Sequence, residues 1–190
     1  RTLAAVATTH GGPVVLVSHS MGGGLAGALA ARRPDLVAAA VLEDPAWRDA
    51  EVRVQPPEVV RERVAQCRAF VDDPAGQLEQ GRADNPTWPE TELGPWAESK
   101  AQVDLDFLEL GIANLLQPWD EIVASITVPT LVLLAGQGGP VTPQARARAS
   151  RIDNPRLEIR VVPDSGHCIR RDRPEAYHAR VDPFLAEHTR

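Results

Sequence analysis

Among its 190 residues this chain has one methionine, one tyrosine, two cysteines and, in Lys100, a single lysine. Cys67 and Cys168 are far apart and make no disulfide framework, so a reducing compartment, the cytoplasm, is expected. No C-x-x-C or H-E-x-x-H spacing offers a metal site, and neither a metal nor a cofactor is expected. No apolar run approaches the roughly 18 residues of a membrane span. The net charge of -6 would repel phosphate backbones and anionic lipid, which excludes nucleic acid and membrane as main partners. The chain has no initiator methionine and no basic-then-apolar leader; Arg1 to His10 reads as the end of an amphipathic helix with Leu3, Val6 and Ala7 on one face. It is therefore expected to begin inside a domain whose N-terminal part is missing.

With 43% hydrophobic and 24% charged residues, the chain is long enough for one domain with a sizeable core. Its organising stretch is Val14-Val15-Leu16-Val17-Ser18-His19-Ser20-Met21-Gly22-Gly23-Gly24. Four branched apolar residues in a row read as a strand buried on both faces, and the small residues Leu25 to Ala31 read as a helix packed closely on it. The residue at the tip of such a strand-turn-helix unit needs small neighbours two positions away, and Ser20 has Ser18 and Gly22 there. Its hydroxyl is expected at the carboxyl end of the sheet, near the free N–H groups of the helix start. Ser18 has no glycine two residues on, and no phosphate-binding glycine pattern follows the strand, so Ser20 is the candidate nucleophile.

The rest of the chain reads as a βα alternation interrupted once. Leu36 to Leu42 makes a second buried strand closed by Glu43-Asp44-Pro45, and the helix between the two strands makes the sheet parallel. From Ala46 to about Ser125 the pattern is helical without strands, with Val60, Val64, Cys67 and Val71 on one face and a further helix from about Glu90 past Trp96 and Val103. Trp47, Trp88, Trp96, Trp119, Phe70 and Phe107 fall in this segment, as the core of a small helical subdomain or as the lining of an apolar substrate pocket. Strand pattern resumes over Thr127 to Gly136, with Pro129 at the strand start, and, alternating like a strand nearer the sheet edge, over Leu157 to Pro163. A terminal helix runs from Pro174 to His188. The expected organisation is thus residues 1–45 and 126–190 as an α/β core around a parallel sheet of about four strands, with 46–125 as a helical insert.

Ser18-His19-Ser20-Met21-Gly22, with the strand before it and the helix after it, resembles the G-x-S-x-G nucleophile elbow of the α/β-hydrolase superfamily, Ser18 standing where glycine is usual. The element order is similar to the C-terminal part of a lidded member, from the elbow strand onward, and implies a partial α/β-hydrolase fold with the insert as a cap. The resemblance makes Gly166-His167, in the loop after the last strand, the general base, and the Met21 N–H one half of the oxyanion hole. His19 should point away from Ser20, His10, His178 and His188 look like surface positions, and Cys168 looks like a small packing residue. The acid departs from the pattern: the usual turn reads Gly136-Gln137-Gly138-Gly139-Pro140-Val141 and holds no carboxylate. Asp44 at the end of the preceding strand, its neighbour Glu43, or no acid at all are the alternatives. The implied activity is that of a serine hydrolase cleaving a small or medium apolar carboxylic ester. The other readings are a degenerate domain that only binds ligand, or another chemistry of the superfamily: C–C hydrolysis, haloperoxidase-like or lactonase activity.

Overall fold

The computed structural model describes residues 1–48, 54–112 and 117–189. In chain order the elements are α1 (Thr2–His10), β1 (Val14–His19), α2 (Met21–Arg32), β2 (Val37–Glu43), α3 (Pro57–Asp72), α4 (Pro74–Asp84), α5 (Glu90–Ala101) and α6 (Leu105–Glu109). There follow α7 (Trp119–Ala124), β3 (Thr130–Ala135), α8 (Pro143–Ala149), β4 (Leu157–Val162), α9 (Ile169–Asp172) and α10 (Pro174–His188). They fall into two units, one of residues 1–50 and 115–190, the other of 51–114. No helix among the described residues is long and apolar enough to cross a membrane.

The first unit is built on a four-stranded parallel sheet in the order β1-β2-β3-β4. The continuous apolar runs of β2 and β3 are explained by helices on both faces. Ala40, Leu42, Val132 and Leu134 face one cluster with Ala26 and Ala30 of α2 and Ala145 of α8. Val41, Leu131 and Leu133 face the other, with Ile169 of α9 and Tyr177 and Val181 of α10. β4, at the sheet edge, is buried only in part. At its N-terminus α2 rests on the end of β2, because Gly23 has no side chain: a Cβ there would lie 3.0 Å from Cα of Pro45.

β1 differs from the expectation of a strand buried on both faces. It lies at the edge of the sheet, and Val17 is 55% exposed. Val17 pairs with Val41 and so projects from the same face, where α9 and α10 pack on β3 and β2. Leu16, on the other face, packs against the cluster around α2.

The helical unit holds α3 to α6, its ends tied by an isolated antiparallel bridge between Val54 and Ile112. Of the four residues read as one apolar face of α3, Val64 is buried and Val71 is 60% exposed. α4 has no counterpart in the sequence reading, since its only large apolar residue is Leu78; Asp73 caps it by accepting from the Gly76 N–H, and Pro74 opens it. The tryptophans divide between the units. Trp88 and Phe70 meet Trp96 edge-on, with ring centroids 5.6 and 5.3 Å away, and Gly81 leaves room for the Trp96 ring. Trp47 and Trp119, expected in the helical insert, belong to the sheet unit, where they stack at 4.5 Å and are buried in its core. Phe107 is 44% exposed and does not serve as core. A cavity of about 540 Å³ in the helical unit is lined by Val54, Val60, Val64, Arg61, Arg68 and Gly111 among others.

Candidate active site

Between β1 and α2 the chain turns on Ser20, whose backbone adopts φ 56° and ψ −120°. A positive φ in a residue other than glycine costs on the order of 1–3 kcal/mol and needs support from its surroundings. Here the Ser20 N–H donates to the Glu43 carbonyl at 3.0 Å, and the Ser20 carbonyl accepts from Ala46 N–H at 2.9 Å and Gly24 N–H at 3.2 Å. The elbow is thereby clamped to the end of β2. Ser18 is otherwise engaged, since its hydroxyl donates to the Val41 carbonyl across the sheet at 2.8 Å.

His167 comes from the loop between β4 and α9, 147 residues further along the chain, and its Nε2 lies 2.9 Å from Ser20 Oγ. Its Nδ1 lies 2.7 Å from Asp44 Oδ2. An ionised carboxylate can only accept, so Nδ1 carries the ring proton and Nε2 is left to accept from the serine hydroxyl. Asp44 is fully buried and follows β2 with φ 37°. Its N–H donates to the Leu133 carbonyl at 2.7 Å, and its Oδ1 accepts from the Ala135 N–H at 3.1 Å. Both ends of the residue are held by β3.

Of the three alternatives for the carboxylate, the one that meets the ring is therefore Asp44. Glu43 is also buried but turns elsewhere: Oε1 accepts from the Arg170 N–H at 2.9 Å and Oε2 from Arg170 Nη1 at 2.7 Å. The turn after β3 holds Gly139 at φ 76°, and a Cβ there would collide with Asp44 Oδ2. Where that turn lacks an acid, it also lacks the side-chain bulk that would displace Asp44.

Met21 is the first residue of α2, so its N–H belongs to the turn whose donors have no acceptor inside the helix. The Met21 side chain is 52% exposed. Cys168 is half-buried, and burial pushes its thiol above the ordinary value, which disfavours the thiolate. Tyr177, beneath Glu43, is pushed up to about 12 by burial and by that charge, and stays protonated. Among the described residues no group of three or more His, Cys, Asp or Glu side chains is placed to hold a metal ion.

His19 was expected only to point away from Ser20. The structure gives it a definite partner: Nε2 lies 2.9 Å from the backbone oxygen of His167, to which it donates, and the two imidazole centroids are 4.4 Å apart. Burial holds the His19 pKa below its ordinary value, the Glu43 charge opposing. His10 is exposed, His178 pairs with Asp182 at the surface, and His188 lies against Phe184.

Comparison with known proteins bears on the family and the fold of the chain. The mouse sn-1-specific diacylglycerol lipase ABHD11 is 29% identical over 188 residues, covering 92% of this chain and 59% of its own length. Lipase LipV of Mycobacterium tuberculosis is 62% identical over 45 residues, 23% of this chain and 17% of LipV. The chain thus spans less than two thirds of the length of these relatives. Among solved structures, E-2-(acetamidomethylene)succinate hydrolase superposes with a TM-score of 0.71 at 20% identity, over 97% of this chain and 71% of that one. A thermophilic esterase from Thermogutta terrifontis superposes with a TM-score of 0.59 at 25% identity, over 98% and 70%. The profile of the alpha/beta hydrolase family matches residues 1–180, and the chain belongs to that family.

Proposed function

We propose that the chain carries the catalytic centre of a serine hydrolase that cleaves carboxylic esters of small or medium apolar acids through an acyl-enzyme. The observation that carries this reading is the unbroken relay from Ser20 Oγ to His167 Nε2 at 2.9 Å and from His167 Nδ1 to Asp44 Oδ2 at 2.7 Å. Ser20 Oγ attacks the ester carbonyl as its proton passes to His167 Nε2, because a serine hydroxyl is a poor nucleophile while it keeps that proton. Asp44 holds the Nδ1–H tautomer and stabilises the imidazolium. The Met21 N–H, with the helix start behind it, supports the oxyanion of the tetrahedral intermediate. His167 then returns the proton to the leaving alkoxide, and a water activated by the same nitrogen releases the acid.

The ester class is supported by the lipase and esterase relatives, and the assembled relay favours turnover over ligand binding alone. The helical unit interrupts the chain between β2 and β3, and in this reading it is the cap insert.

The test is labelling with a fluorophosphonate probe together with hydrolysis of a short-chain aryl ester. Ser20→Ala is expected to abolish both while leaving the binding of an apolar ligand intact. Labelling that persists in Ser20→Ala but vanishes in Ser18→Ala or Cys168→Ala would overturn the assignment.

A further inference from the structure

His167 is held by its ring, but the loop that carries it is held by something else. Gly166 N–H donates to Asp172 Oδ2 at 2.7 Å, and Ser165, fully buried, takes the Gly136 N–H on its hydroxyl and the Gln137 N–H on its carbonyl. These contacts hold the start of the loop to the β3 turn and to its own end. They leave open how far the His167 backbone stands from the end of β2, the distance on which the ring's reach to both Asp44 and Ser20 depends.

Two side chains outside the triad set that distance. Glu43, adjacent to Asp44, binds Arg170 through both its backbone N–H and its guanidinium. His19, adjacent to Ser20, donates to the His167 carbonyl. The nucleophile and the acid each have a chain neighbour whose side chain grips the histidine loop or the helix α9 that ends it, and His19 and Glu43 are themselves register partners in β1 and β2. A carboxylate 1% exposed requires strong partners, and Arg170 supplies a charge as well as two donors. We propose that the Glu43–Arg170 ion pair, with His19, is a positioning device that fixes the His167 ring at the height where Nδ1 meets Asp44 and Nε2 meets Ser20. Glu43 and Arg170 act through the backbone that follows His167, and His19 acts through the His167 carbonyl, its ring lying 4.4 Å from the His167 ring between centroids. The proposal rests on the serine hydrolase reading for its kinetic consequence, although the geometry it predicts is independent of turnover.

The experiment compares Arg170→Met, the double variant Glu43→Gln/Arg170→Met and Arg170→Lys. The double variant leaves no lone buried charge, so it separates loss of position from failure to fold. Two readouts are taken on samples with cooperative thermal unfolding: kcat and KM for a short-chain aryl ester, and the low-field proton resonance of His167 Nδ1–H. In the folded double variant, kcat is expected to fall on the order of 10- to 100-fold with KM nearly unchanged, as for a small misplacement of a catalytic group. The low-field resonance shifts or is lost in that variant, and Arg170→Lys recovers most of both. A double variant with wild-type kcat and an unshifted resonance would overturn the proposal. If the wild type hydrolyses no ester and takes no fluorophosphonate, the hydrolase reading fails. The resonance then decides the positioning role alone, supporting it if shifted and overturning it if unchanged.

Discussion

The two units use their apolar residues differently. In the sheet unit Leu42, Val132, Leu133 and Trp47 are 2% exposed or less, and the inner strands β2 and β3 are covered from both sides, while Val17 and Val161 on the edge strands are 55% and 50% exposed. In the helical unit Val64 and Leu93 are buried, while Val71, Phe107, Leu110 and Ile112 are 44% to 60% exposed. Apolar burial contributes roughly 25 cal/mol per Å², so the first unit has the larger hydrophobic reserve and the second leans on the rings around Trp96. The lesson is that the proposed site sits where the backbone is over-determined. A serine at φ 56° and an aspartate at φ 37° persist because a packed sheet edge holds them, whereas such strain would be released in a loosely buried helical unit.

This contrast can be broken by truncating one ring in each unit. Trp47→Ala removes a stacked ring from the core of the sheet unit and is expected to destabilise it by about 3–5 kcal/mol. Trp96→Ala, in the helical unit, should cost less, about 1–3 kcal/mol, since its ring is half-buried. Thermal and urea unfolding of both variants check the order; equal losses, or the reverse order, would contradict the contrast.

Much of the sheet unit was legible because its signals are local. The elbow lies in eleven consecutive residues, and Gly166-His167 follows a strand whose alternation is plain. Asp44 could not be separated from Glu43, because both side chains turn toward the stretch from His167 to Arg170, more than 120 residues away, and the choice depends on which of them meets the His167 ring. The partner of His19 was hidden for the same reason: a backbone carbonyl at position 167 leaves no mark in the sequence near position 19. The exposure of Val17 follows from β1 having, among the described residues, a strand on one side alone, since burial of a strand depends on what lies beside it. In the helical unit the obstacle was composition. α4 carries glycines at 76 and 81 and little apolar patterning, so only Asp73-Pro74 marked its start.

A finer test of over-determination in the sheet unit lies at Gly139. Gly139→Ala both strains a residue at φ 76° and pushes a Cβ into the Asp44 carboxylate. Ester turnover is expected to fall about 10- to 100-fold, with a stability loss of about 1–2 kcal/mol. Gly139→Asp, which restores an acid to the turn after β3, should do no better, because the new side chain meets Asp44 rather than replacing it. A gain in activity from Gly139→Asp would contradict this packing.

A smaller effect is expected at His19. Its pKa in the folded protein is lowered by burial, so between that value and the ordinary 6.5 the unfolded chain binds more protons than the folded one. The sign follows: stability is full above about 6.5 and declines as the pH falls through the window down to the folded value. In His19→Gln, which keeps an N–H donor for the His167 carbonyl, the slope of stability against pH below about 6.5 should flatten, as read by urea unfolding at several pH values. An unchanged slope would show that His19 takes up its proton without a folding cost.

The smallest effect is expected at the surface of the helical unit. Arg82 bonds to Glu79 and Glu90, and both carboxylates are more than half exposed. Exposed pairs of this kind contribute little once water and salt screen them. Arg82→Met should leave the melting temperature within experimental scatter, and a clear drop would mean that the helical unit depends on its surface charges more than on its rings.

The central claim, that an acid from the end of β2 serves the histidine, is tested most directly at Asp44. The measurement is kcat/KM for a short-chain aryl ester in wild type and Asp44→Asn, with thermal unfolding as the control for folding. Replacement of the carboxylate by its amide removes the acceptor that fixes the Nδ1–H tautomer, which in a protease triad lowers the rate by a factor on the order of 10⁴. A folded Asp44→Asn protein with turnover reduced by about that factor is the predicted result; turnover within a few-fold of wild type would contradict the claim.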